Sequence, residues 1–130
     1  MAAGTSPIFE TVLNDLAAQF TSADTTTAKA IGTIGANGTR IDSIMISTND
    51  TTAVNLAFYK HIGSTDYYIG VVNVPIGSGY TTVARVEGIS TLAPILGYLT
   101  IPAGATLKAN CVATMTAAKT TDVVAQGGDY

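Results

Sequence analysis

From Ala23 onward the chain is a succession of short runs rich in Thr, Val, Ile and Tyr, separated by Gly, Asn, Pro and Asp at intervals of about ten residues. No other feature restricts the fold so tightly. β-Branched and aromatic side chains suit a pleated, half-buried surface, and turn residues at that spacing leave room only for short antiparallel strands. TTTAKAIGTI runs into GANGTR, where Asn37-Gly38 tolerates the positive φ of a tight hairpin turn, and RIDSIMIST reads as the returning strand. VNLAFYKHI, YYIGVVNV, TTVARVE, LKANCVATMTA and TDVVAQ follow. Pro75 closes the second of these because it cannot donate to a ladder. The apolar stretch STLAPILGYLTI is broken at Pro94 and Gly97. The sum is about seven or eight strands, enough for two packed sheets. Residues 23–130 are therefore expected to form an all-β, antiparallel β-sandwich domain.

The N-terminal segment is punctuated differently. In SPIFETVLNDLAAQF, Ser6 suits a helix N-cap and Pro7 the first helical position. Ile8, Val12, Leu16 and Phe20 recur at steps of four, with Leu13 beside them, which predicts a short helix with one apolar stripe. Residues 1–22 then form an N-terminal arm, its stripe either packed on its own domain or docked on a neighbouring subunit.

Size and charge narrow the function. A chain of 130 residues supports one compact core. Charged residues make up 12% of it, against about 25% in an average soluble protein. So uncharged an exterior suits a protein packed against other subunits. The net charge of −3 provides no basic field to gather phosphates, so nucleic acid is not an expected partner. The greasiest region, Ile89 to Ile101, is interrupted by Ser90, Thr91, Pro94, Gly97 and Thr100, so no membrane span is expected. No signal-peptide pattern opens the chain, and one cysteine closes no intrachain disulfide.

The side chains that could carry chemistry read as structural. Cys111 alternates with Leu107, Ala109, Ala113 and Met115, which places it on the apolar face of its strand, away from any activating cation or base. His61 is the only histidine, so every mechanism that needs an imidazole base runs through it. It shares the polar face of VNLAFYKHI with Asn55, Ala57 and Tyr59, as an exposed or interfacial residue. The scattered carboxylates sit mostly at turn positions, where they cap backbone N–H groups. Asn49-Asp50 lacks the spaced oxygen ligands of a calcium loop. Gly32, Gly35 and Gly38 have strands on both sides instead of the strand-to-helix context of a phosphate loop. The chain therefore reads as no enzyme, with no catalytic, cofactor or metal residues. Tyr59, Tyr67, Tyr68, Tyr80, Tyr98 and Tyr130 are surface-capable aromatics of the kind favoured at interfaces. The candidate interface set is Ile8, Val12, Leu16, Phe20, Tyr59, His61, Tyr98 and Tyr130.

The phrases TSADTTTAKAIGTIGANGTRIDSI, STDYYIGVVNV, YLTIPAGATLKANC and TDVVAQGGDY resemble small structural proteins of tailed bacteriophages, in the neighbourhood of capsid decoration (cement) proteins. The likeness covers about residues 21–130. It implies a jelly-roll-like sandwich that forms a homotrimer on the capsid exterior and contacts the major capsid protein. It transfers no contact residues. The rival reading is a receptor- or carbohydrate-binding head module of a phage fibre, with tyrosines on one rim stacking against sugars.

Overall fold

The computed structural model describes residues 10–130. Its strands are β1 (Val12–Thr21), β2 (Lys29–Ala30), β3 (Thr39–Thr48), β4 (Val54–Ile62), β5 (Thr65–Val74), β6 (Val86–Glu87), β7 (Leu99–Ile101), β8 (Thr106–Cys111) and β9 (Thr120–Asp129). A single helical turn, α1 (Ile89–Leu92), sits between β6 and β7. One antiparallel sheet has the order β1-β9-β3-β6, with β7 also on β3, and the other β2-β8-β4-β5. That order is a jelly-roll arrangement of two sheets. Consecutive strands alternate between sheets at both ends of the chain, so nearly every pairing is long-range.

Alternation builds the core. Leu16 and Phe20 of β1, Ile44 and Ile46 of β3 and Val123 of β9 meet Leu56 and Phe58 of β4, Val72 of β5 and Leu107 and Cys111 of β8 in one buried cluster. Successive side chains on a strand face opposite ways, so each strand gives the core every second residue.

The helix expected over Ser6–Phe20 is corrected: Val12–Thr21 is a strand, paired with β9 from Val12 opposite Asp129 to Thr21 opposite Thr120. Steps of four preserve parity, so Leu16 and Phe20 share a face in a strand as well as in a helix. Leu13 separates the two readings. A helix sets it beside the stripe, whereas the strand turns it outward, where it is 92% exposed. The β9 edge supplies ladder partners that a lone short helix lacks, and isolated helices of that length are marginal in water. The sandwich thus takes in β1, ahead of the boundary expected at residue 23.

Two other expectations change. The Asn37-Gly38 turn closes on the Gly38 N–H to Gly35 carbonyl bond (3.0 Å), but it makes no hairpin, because β2 and β3 lie in different sheets. TTTAKAIGTI keeps only Lys29–Ala30 as strand. Gly32, with φ +66°, lies so near Leu16 that a methyl group there would stand 2.8 Å from the Leu16 Cα. TTVARVE likewise keeps only Val86–Glu87.

One buried carboxylate ties loops to the sandwich. Asp50 accepts from the Thr52 N–H (2.9 Å) and the Thr116 N–H (3.0 Å), while its own N–H donates to Thr48 Oγ1 (3.1 Å). Burial alone raises its pKa, but bonds from Thr116, Thr52 and Thr51 outweigh that and hold it below the ordinary carboxylate value. A depressed folded pKa gives stability that is present above the unfolded value and lost as pH falls through the folded one. Asp50→Asn is therefore expected to lose about 2 kcal/mol at neutral pH. The gap to the parent protein should narrow below about pH 4, as followed by denaturant titration across pH.

Candidate docking groove

The site arises where one edge strand is interrupted. β6 and β7 lie along the same side of β3, with Met45 opposite Glu87 and Ile41 opposite Leu99, and residues 88–98 leave the sheet between them. The Glu87 carboxylate replaces missing ladder partners: Oε1 accepts from Ile44 N–H (2.9 Å) and Ile89 N–H (3.0 Å), and Oε2 from Ser90 N–H (3.0 Å). Ile89 and Leu92 anchor the excursion in the core. Pro94 has no N–H with which to continue the helical turn. Gly97, at φ +75° and bonded to the Ala93 carbonyl (2.9 Å), swings the chain back to β7. At the tip, Ile95 is 95% and Leu96 67% exposed.

The opposite wall is the β4–β5 hairpin. Its register shifts between Phe58 and Tyr59, so Phe58 faces Gly70, Tyr59 faces Tyr68 and Lys60 faces Tyr67, with Ile69 the extra residue. Gly70 is bare where a methyl group would meet Leu92 Cδ2 at 3.3 Å, so the excursion packs closely there. Between the walls runs a groove of about 600 Å³ lined by Lys60, Tyr67, Tyr68, Ile69, Leu92, Pro94, Ile95, Leu96, Tyr98 and Thr100. A second lobe of about 340 Å³, bordered by Asn37, Ile62, Pro102 and Tyr130, shares Lys60 and Thr100 with the first. Tyr98 is held in place by the Arg40 guanidinium, 4.0 Å from its ring centre, and Arg40 is fixed by Asp42 (2.8 Å) and Glu10 (3.3 Å).

The structure scatters the residues singled out in the sequence. Tyr98 lines the first lobe and Tyr130 the second. Tyr59 stacks edge-on against Tyr68, ring centres 5.8 Å apart. His61 pairs with Asp66 on the same hairpin. Leu16 and Phe20 are buried in the core, which is the own-domain placement of the stripe and not the neighbour-docking one, because a strand turns them inward. Val12 is exposed at the start of β1, and Ile8 lies outside the described residues. Lys60, Tyr67, Ile95 and Leu96 were not among the expected interface residues. Lys60 had a readable signal, since it continues the inward parity of Val54, Leu56 and Phe58 and is charged.

Cys111 is fully buried. Desolvation pushes its thiol up to about 11, the reverse of what a nucleophile needs. Alkylation with iodoacetamide at pH 8 is expected to run about two orders of magnitude slower on the folded protein than on the unfolded chain. Equal rates, read by mass spectrometry, would place the thiol at the surface.

The chain matches no family model and no curated protein.

Proposed function

We propose that the protein is a non-enzymatic virion structural protein that binds and stabilises a phage capsid lattice as a homotrimeric cement protein, with the groove as its docking surface. The observation that carries this reading is the exposed cluster of Tyr67, Tyr68, Ile95 and Leu96 around one groove on a two-sheet scaffold. Contiguous exposed apolar surface with a polar rim marks a docking site, and tyrosines make rigid anchors in such sites. The low charge and the phrases that resemble cement proteins support the same reading.

The physical logic is additive. A clamp that binds the assembled major capsid protein, and not the free subunits, stabilises the lattice by mass action. Three linked copies multiply a weak contact into durable attachment on the capsid exterior. Sedimentation of the pure protein and cosedimentation with undecorated heads test this. A trimer that pellets with heads is expected; a monomer left in the supernatant would overturn it.

The convergence of Tyr67, Tyr68 and Tyr98 on one groove favours a second reading, a carbohydrate-binding head module. Sugars need several fixed polar partners besides stacking faces. Beyond the tyrosine hydroxyls the first lobe offers Lys60 and Thr100. A glycan array separates the two readings, since a cement protein leaves it blank.

A further inference from the structure

The groove has an electrostatic feature that apolar docking does not use. Among the described residues Lys60 is the one charged side chain lining either lobe, and both lobes border it. It is partly buried, and among the described residues it has no ion-pair partner, a state it shares with Arg85, Lys108 and Lys119, but of these four it is the one that lines the groove. An ammonium among tyrosine and aliphatic side chains, with no carboxylate paired to it, offers a carboxylate from outside a charge-assisted hydrogen bond.

We infer that the two-lobed groove takes an extended apolar segment of a partner protein carrying one carboxylate, which seats on Lys60, bordered by both lobes. The inference rests on the docking reading above and names the chemistry of the partner. Shape argues for an extended occupant, because Lys60 borders both lobes, one reaching to Ile95 and the other to Pro102 and Tyr130. Apolar walls argue for side chains of the Val, Ile and Leu kind on either side of the acid. A polyanion is disfavoured, since one cation in a chain of net charge −3 gives no field to hold it.

The partner segment is represented by a blocked hexapeptide of valine, isoleucine and leucine with one central aspartate, and by its twin with lysine in that place. Added to the full-length, isotope-labelled protein, the acidic peptide is expected to move the amide signals of Lys60, Tyr67, Tyr98 and Thr100. It should bind about ten-fold more tightly than the twin, an advantage that shrinks at high salt. Lys60→Glu should reverse the preference and Lys60→Met, which keeps the aliphatic stem, should abolish it. Unmoved groove signals, equal binding of the two peptides, or movement only with free hexoses would each overturn the inference. Because the probe is a peptide, these outcomes are separate from binding to heads. A protein that ignores heads yet prefers the acidic peptide would sink the capsid reading alone, and the converse result would sink this one alone.

Discussion

Gly127→Ala is expected to cost about 4 kcal/mol, a fall of roughly 15 °C in melting temperature for a domain of this size. The cause is a close approach of backbone to backbone. A methyl group at Gly127 would stand 1.8 Å from the Arg40 carbonyl oxygen and 2.8 Å from its carbon, neither of which can rotate aside. The approach occurs where β3 carries an extra residue against β9, with Ile41 opposite Gly127 and Ser43 opposite Gln126. Bulges draw strands together on one side and favour residues without Cβ. Gly63→Ala is the control. Gly63 has positive φ, at +66°, which Gly127 does not, but open space around it, so the change is expected to cost about 1 kcal/mol. Thermal melts followed by circular dichroism measure both, and a Gly127→Ala protein that melts with the parent would refute the β3–β9 register.

Phe20→Ala is expected to cost about 3–5 kcal/mol, whereas Leu13→Ala leaves stability within about 0.5 kcal/mol of the parent. Phe20 is wholly enclosed between the sheets and Leu13 stands almost free. The pair discriminates between strand and helix. On an amphipathic helix docked by its stripe, Leu13 adjoins the buried face and its truncation is felt; on β1 it faces solvent. Urea titration of both variants decides, and comparable losses would restore the helix.

The sandwich was legible because strands that feed two-sided cores leave a rhythm of β-formers and turn residues. Its first strand reads as a helix because Val12, Leu16 and Phe20 obey both periods. The tie is broken by a partner strand more than a hundred residues away, at Thr120–Asp129, which no local window contains. Asn37-Gly38 announced a reversal, but turn chemistry does not say which sheet receives the outgoing strand. The same holds for the groove. Pro94 and Gly97 marked a break, yet the break opens a groove only because β6 and β7 share one edge of β3 and Gly70 lies opposite Leu92. Tyr130 reads as an outward-reaching aromatic and Tyr98 as an interface candidate; that each lines a lobe bordered by Lys60 does not, since it depends on long-range packing.

On the proposed reading the protein acts through the exposed surface at Ile95 and Leu96 and not through bond-making chemistry. Both side chains are largely in solvent, so Ile95→Asp with Leu96→Asp should melt with the parent protein and still lose affinity. The decisive measurement is the binding isotherm of parent and double variant on undecorated heads. At least about ten-fold weaker binding by the variant is the predicted result. Superimposable isotherms from two equally stable proteins would contradict the account.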